Sequence, residues 1–536
     1  MYKKNIIIGA GPAGLQLAYY FEKYNMDYII LEKNNISGSF FNNYPHCNKL
    51  ISINKKNTGK DNKEFNLRHD WNSLLSDDYE LLFTNFSNEY YPDKEDILKY
   101  LNEFSHKYNI KIQYNSFVKI INKVENKYFI TVNKDEIYTC EKLIIATGLS
   151  KPHIPKNIDI DVKNPIKHYG EYEKNFFNNE QNLNNFINKT VLLIGNGNSS
   201  FELANLLNNY CSSIIILGKR NPTFSITSNY TGSVRSIYLP FLDTFFLKSL
   251  NAMNIWKGQK IIIKQNHISD KYSLFKKNND ETLLIIGPSS PNKADIIILC
   301  TGWEFDETIF SFDVQLVNSK KYPDMKSNYE SVNNNNLYFI GTLMHAFDYK
   351  KSSGGFIHGF RYLIKNFFIL NYLKSFEYQS FNIFEDIDNI NNVVNHIIYK
   401  INYSSALYQM HSVICDFFYY DPYNQKFIYY NDITKNFILD NYIKRDEKIN
   451  IYFMLTLEYS DEKNFDLRTI GTKKSDIGSE SKSTFLHPII TVYNNFCNVI
   501  DIIHFDENLI LDFTNRNLYF NKIRRTLIMF LDNMKY

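Results

Sequence analysis

The chain has 536 residues, 44% hydrophobic and 22% charged, with 60 Lys plus Arg against 57 Asp plus Glu. A length of this order divides into roughly three or four modules rather than a single core. A formal net charge of +3 is too small for a nucleic-acid footprint or for attraction to an anionic membrane, so neither partner is expected.

The first predicted element is a short apolar strand, Asn5 to Ile8, of the kind buried on both faces of a parallel sheet. It runs into Gly9-Ala10-Gly11-Pro12-Ala13-Gly14 and then a helix to Tyr24. In this spacing the first glycine permits a tight turn, the second lets backbone approach a pyrophosphate, and the third lets the helix pack on the strand. A second strand, Tyr28 to Leu31, ends at Glu32, placed to accept from ribose hydroxyls. Arg68, His69 and Asp70 alternate in charge beside Trp71; His69 suits a proton shuttle there, the alternative being a salt-bridged loop.

Leu143 to Ile145 predicts another buried strand, ending in Ala146-Thr147-Gly148, and Pro152 and Pro155 stiffen the linker beyond that turn. Lys189 to Ile194 repeats the opening pattern into Gly195-Asn196-Gly197-Asn198-Ser199-Ser200, with Ser200 in place of the third glycine. The next strand, Ser213 to Leu217, ends in Gly218-Lys219-Arg220; cations there suit the 2′-phosphate of NADPH, the alternative being a solvated pair. Ile296 to Leu299 runs into Cys300-Thr301-Gly302, matching the earlier small-Thr-Gly turn. A strand from Leu337 reaches Gly341, and Gly354-Gly355 opens a helix from Phe356 to Leu373, with His358 near its start for contact or for packing.

Beyond Gln379 the pattern changes to Asn-rich polar loops between aromatic runs such as Phe417 to Tyr420 and Ile451 to Met454. Gly471 to Thr484 reads as a Lys/Ser-rich mobile loop. The expected fold class is α/β: two Rossmann-like dinucleotide-binding domains with parallel sheets, plus an α+β C-terminal accessory domain. The expected division is 1–165 with 320–378, then 166–319, then 379–536. The last part is assigned to covering the site, forming a homodimer or holding a protein client.

The six cysteines are far apart and form no C-x-x-C or zinc spacing, so neither a local redox dithiol nor a metal site is expected. Met1 stands close to the first strand, leaving no room for a signal peptide, and no apolar run approaches the roughly 20 residues of a membrane span. A soluble, cytoplasmic protein is the expectation.

Taken together, the motifs resemble the double dinucleotide-binding flavoproteins that include flavin-containing monooxygenases, N-hydroxylating monooxygenases and disulfide reductases. Within them the chain resembles the family of FAD-dependent oxidoreductase domain-containing protein 2. The likeness is carried by Gly9 to Gln16, Lys49 to Lys55, Glu64 to Leu75 and Gly354 to Tyr362, and extends to Leu407 to Met410 and Phe485 to Pro488. It implies bound FAD and oxidoreductase activity. The family's role in the ER, preparing misfolded proteins for degradation, is not carried over, because no signal peptide or retention tetrapeptide is read here.

Against that resemblance, Gly38-Ser39-Phe40-Phe41 is similar to the Gly-Gly-x-Trp segment that lies along the flavin, which makes Ser39 and Phe40 cofactor candidates. Asn54 falls near the flavin-side asparagine, the alternative being an ordinary turn residue. Thr147, Gly148, Gly302, Gly341 and Gly355 join the glycines of both turns as cofactor-binding candidates. Pro152 and Pro155, with His168 and Tyr172, make a degenerate version of a monooxygenase linker. Three functions are carried forward: an oxidoreductase reduced by NADPH with monooxygenase-like architecture, acting on an unknown small molecule or acceptor; a thiol-linked reductase acting on a partner's cysteines; and a flavin-stabilised protein-binding module.

Overall fold

The computed structural model describes residues 1–133, 135–161, 166–219, 253–255, 260–265, 272–278, 281–284, 294–318, 321–349, 351–373, 384–387, 389–441, 449–459, 486–506 and 513–532. Strand β1 (Tyr2–Ile8) is apolar and buried over its last turn, and it lies parallel between β2 (Tyr28–Leu31) and β6 (Glu136–Ile145). A strand covered on both faces needs no polar alternation, which is why its sequence reads as a continuous apolar run. Helix α1 (Pro12–Lys23) and helix α2 (Lys94–Lys107) pack beside it, with Tyr19 edge-on to Tyr108 at 4.7 Å. The short β3 (Ile112–Gln113) extends the sheet past β2.

Strand β6 forks this sheet. Its first half, Glu136 to Cys140, closes an antiparallel meander with β4 (Val118–Val124) and β5 (Lys127–Val132). Its second half, Leu143 to Ile145, instead pairs in parallel with β10 (Leu337–Phe339), a strand almost two hundred residues further on.

The second parallel sheet is built on β7 (Thr190–Ile194), with β8 (Ser213–Gly218) on one side and β9 (Ile296–Leu299) on the other. Met253–Ile255 and Lys167–His168 continue it at either end, and helix α3 (Asn198–Leu207) comes after β7. A smaller four-stranded sheet joins Ile158–Asp161 to Lys260–Gln265, Tyr272–Asn278 and Glu281–Leu284. Helix α4 (Ile357–Tyr372) packs on α1, where Tyr20 stacks on Phe368 at 5.3 Å and Phe21 meets Tyr372 edge-on at 4.9 Å.

The C-terminal region is a six-stranded antiparallel sheet in the order β11 (Phe384–Ile387), β13 (Lys426–Thr434), β12 (Ile414–Asp421), β14 (Ile451–Glu458), β15 (His487–Asn494), β16 (Val499–His504). Helices α5 (Ile390–Tyr403), α6 (Ser405–Gln409) and α7 (Asn521–Asp532) accompany it. The aromatic runs noted in the sequence lie in its central strands. Phe418 stacks on Tyr429 of one neighbour at 5.0 Å and on Phe453 of the other at 5.2 Å, with interplanar angles of 9° and 13°. Such cross-strand ring pairs hold register as well as area. The Gly471 to Thr484 run lies outside the described residues. Among the described residues no helix is long and apolar enough to cross a membrane.

Candidate cofactor site

At the end of β1 the backbone turns at Gly9, φ +107°, a conformation that side chains resist; a Cβ there would sit 2.8 Å from the carbonyl oxygen of Ala146. A Cβ on Gly14 would overlap the Gly9 carbonyl, so the helix can reach the strand only with glycine at this position. Gly11, by contrast, has nothing within 4 Å of where its Cβ would be. It is the N-cap of α1, no side chain caps it, and Pro12 stands next in the first turn. The two crowded glycines shape the turn, and the open one leaves a cradle at a positive helix end where a pyrophosphate fits. Gly341, φ +75°, packs against the same turn, since a Cβ there would lie 2.5 Å from the Ala13 Cβ.

Glu32 is buried at the end of β2, and its Oε2 accepts from the Ala10 N–H at 2.8 Å. Its Oε1 accepts from the Asn34 N–H at 3.0 Å and the Ser39 hydroxyl at 3.1 Å. One carboxylate thus ties the glycine turn to the segment after Gly38, whose N–H donates to the Ala10 carbonyl. Ser39 begins a short helix, Ser39–Asn43, that leaves the Phe40 ring half exposed. Thr147 and Gly148 come directly after β6, and a Cβ on Gly148 or Gly302 would meet nothing, so both turns are open.

The second turn repeats the first with one change. Gly195 has φ +121° and its Cβ would overlap the Cys300 carbonyl, while Gly197 is open at the N-cap of α3. Ser200 stands where the third glycine would be, fully buried, and its hydroxyl donates to the Gly195 carbonyl at 2.5 Å. Ser199 is half-buried beside it, and Lys219 is exposed just past β8. Arg220 lies outside the described residues.

An aromatic junction that the sequence did not disclose joins the segment after Gly38 to the Gly302 turn. Trp303, directly after Gly302, meets Tyr44 at 5.3 Å, Phe40 at 6.3 Å and His168 at 5.3 Å. A Cβ on Gly170 would overlap its ring. The only signal in the sequence is a rare tryptophan directly after a Thr-Gly turn. Below it, Tyr169 donates to Glu202 at 3.2 Å and accepts from the His46 N–H at 3.0 Å. Burial pushes the Glu202 carboxyl up, and burial together with that neighbouring carboxylate pushes the Cys47 thiol up to about 11.

Asn54 and His69 are both buried. The Asn54 amide donates to the Ser87 and Glu89 carbonyls at 2.8 and 3.1 Å, leaving its own oxygen without a partner. Burial, reinforced by the Arg68 guanidinium, lowers His69 to about 4, so its ring is neutral at physiological pH. Among the described residues Arg68, His69 and Asp70 form no ion pair with one another. Arg68 bonds the carbonyls of Ser404 and Ile401 at 3.1 and 3.2 Å, and Asp70 accepts from the N–H groups of Asn72 and Ser73. Arg361 is fully buried and donates to the carbonyls of Leu67, Asp70 and Ser73 at 2.7 to 3.0 Å. His358 stacks on Trp71 at 4.2 Å, and burial holds it well below its ordinary value, which makes it a packing residue of this wall. A Cβ on Gly355 would sit 3.2 Å from the His345 ring.

All six cysteines are free. Burial raises Cys211 to about 11 and Cys300 to about 12, and it raises Cys140 and Cys415 further. Among the described residues no group of three or more His, Cys, Asp or Glu could hold a metal ion.

Residues 6–341 match the family model of pyridine nucleotide-disulphide oxidoreductases. FAD-dependent oxidoreductase domain-containing protein 2 of Mus musculus is 33% identical over 519 residues, covering 91% of this chain and 76% of the relative. The protein of the same name from Danio rerio is 30% identical over 531 residues, covering 91% and 75%. A solved bacillithiol disulfide reductase from Staphylococcus aureus shares 21% identity at a TM-score of 0.48, covering 69% of this chain and 99% of its own.

Proposed function

Because the chain belongs to the pyridine nucleotide-disulphide oxidoreductase family, in the group of FAD-dependent oxidoreductase domain-containing protein 2, we propose that it passes electrons from NADPH through bound FAD to a diffusible acceptor. The observation that carries this reading is the pair of cradles: in each, a crowded first glycine and an open second glycine leave a helix N-terminus free for a dinucleotide. Gly9, Gly11, Pro12, Ala13 and Gly14 would hold the FAD pyrophosphate, with Glu32 at the ribose. Ser39, Phe40, Thr147, Gly148, Gly341 and Gly355 would line the rest of that site.

Gly195, Gly197 and Ser199 would hold the second nucleotide beside Gly302, with Lys219 and Arg220 at its 2′-phosphate. Bound FAD supplies two-electron chemistry; the protein binds it, orients it and controls water around it. Asn54 would offer its unpartnered oxygen as an acceptor, and His69 would act as a neutral group. Thiols driven up by burial are poor thiolates, which supports direct transfer to oxygen or another small acceptor over a relay through this chain's own cysteines. The domain division 1–165 with 320–378, 166–319 and 379–536 is part of the same reading.

The deciding experiment is a visible spectrum of the purified protein, before and after anaerobic NADPH. A bound flavin band that bleaches with NADPH supports the proposal; a flavin band that neither NADPH nor NADH reduces would leave only a structural flavin.

A further inference from the structure

Strand β10 ends at Phe339, and after Ile340 the chain turns through the short 3₁₀ run Gly341–Ala346. Ligands of open α/β sheets bind beyond the carboxyl ends of their strands, and Gly341 here packs against the first turn of α1. Four residues on stands His345. Its Nδ1 lies 2.8 Å from Oδ1 of Asp348, a fully buried carboxylate. The other oxygen, Oδ2, accepts from the Gly354 N–H at 2.8 Å. Thr342 donates to the Gly355 carbonyl at 3.2 Å, so the 341–348 turn and the Gly354-Gly355 loop are one unit.

With Asp348 accepting on both oxygens, Nδ1 of His345 carries the hydrogen and Nε2 is left as the base. Among the described residues Nε2 makes no hydrogen bond, and the His345 side chain keeps 13% of its surface exposed. A histidine whose tautomer and orientation are fixed by a buried carboxylate is arranged for proton transfer. The groups facing it are the rings of Tyr322 and Tyr349 at 5.8 and 5.7 Å. The Lys321 ammonium lies over both of those rings, and His411 is close enough to sense Asp348.

We propose that His345 is the proton donor of the electron transfer to the acceptor, with Asp348 as its positioning residue, an inference that rests on the function proposed above. The net reaction, NADPH + A + H⁺ → NADP⁺ + AH₂, consumes one proton beyond the hydride. The Nε2–H bond of the imidazolium breaks, that proton goes to the two-electron acceptor A, and Nε2 regains one from solvent.

Two measurements test this. The first maps diethyl pyrocarbonate labelling by peptide mass in protein stripped of flavin. In Asp348→Asn the amide oxygen is expected to take the Gly354 N–H and the NH₂ group to face Nδ1. The bare nitrogen then moves inward, and labelling of His345 slows at least fivefold while the other histidines keep their rates. Equal labelling of His345 in both proteins overturns the dyad.

The second compares kcat for NADPH oxidation across pH in flavin-loaded wild type, His345→Gln and His345→Ala. Proton donors of this kind contribute on the order of 100-fold. Both variants are expected to lose about that factor and the wild-type pH dependence, with an unchanged flavin band and unchanged anaerobic bleaching by NADPH. Added imidazole is expected to restore His345→Ala. Either variant keeping the wild-type profile, or His345→Ala failing to respond to imidazole, overturns the proposal. Absence of any flavin band overturns the function above instead, and the labelling arm still reads the dyad.

Discussion

The Ser200 hydroxyl donates to the Gly195 carbonyl at 2.5 Å, in the place where a Cβ on Gly14 would collide with the Gly9 carbonyl. The two nucleotide turns therefore tolerate different third residues: the first has no space for any side chain, and the second has space that a hydroxyl fills with a hydrogen bond. Gly14→Ala is expected to weaken FAD retention at least tenfold, because backbone must move to admit the methyl group. Ser200→Ala gives up one hydrogen bond, about 1 kcal/mol, and is expected to leave the flavin band intact. Flavin-to-protein absorbance ratios after gel filtration check both.

Among the described residues Arg361 is held by three carbonyls and no carboxylate. Arg361→Met would leave those acceptors buried and unpaired, at about 1–3 kcal/mol each before relaxation. The expected net loss is about 3–5 kcal/mol, read by urea unfolding of holoprotein, with faster proteolysis between Lys63 and Leu75.

A pH effect should come from the C-terminal sheet. Burial pushes the Asp416 carboxyl from 3.8 up to about 6, against the pull of Lys400, whose ammonium lies 3.6 Å away and bonds Asp432 at 2.7 Å. A raised folded value means that the stability tied to the protonated form is complete below pH about 4 and is lost as pH rises through about 6. Asp416→Asn cannot make that loss. Its stability relative to wild type should therefore grow between pH 4 and pH 7, by at most about 3 kcal/mol. Denaturation midpoints at the two pH values check the sign.

Under the nucleotide assignment proposed above, Lys219→Glu with Arg220→Glu would exchange the two cations proposed for the 2′-phosphate for carboxylates. The ratio of kcat/KM for NADPH over NADH should fall at least tenfold, with NADH the less affected. An unchanged ratio would refute the assignment of these two residues.

The N-terminal unit was readable because each residue's role there is local: strand, glycines, helix and Glu32 all lie within the first 32 residues, and β1, α1 and β2 form where their pattern places them. The central strands β12 and β14 were not, because runs such as Ile451 to Met454, buried on both faces, lack the alternation that marks a half-exposed strand. Trp303 and the His345–Asp348 pair escaped for another reason. Trp303 acquires its meaning only when Tyr44 and His168 are folded beside it, and a short-range His–Asp spacing is common in loops. The partners of Arg68 lie more than 330 residues away, which no local pattern reveals.

That last separation bears on how the molecule is made. During synthesis the Arg68 guanidinium emerges long before Ile401 and Ser404, and β6 appears without β10 to line its second half. The 63–75 segment thus waits for residues 401–404, so a nascent chain released early, or one shortened after the first two sheets, leaves the Arg68 guanidinium without the two carbonyls that hold it.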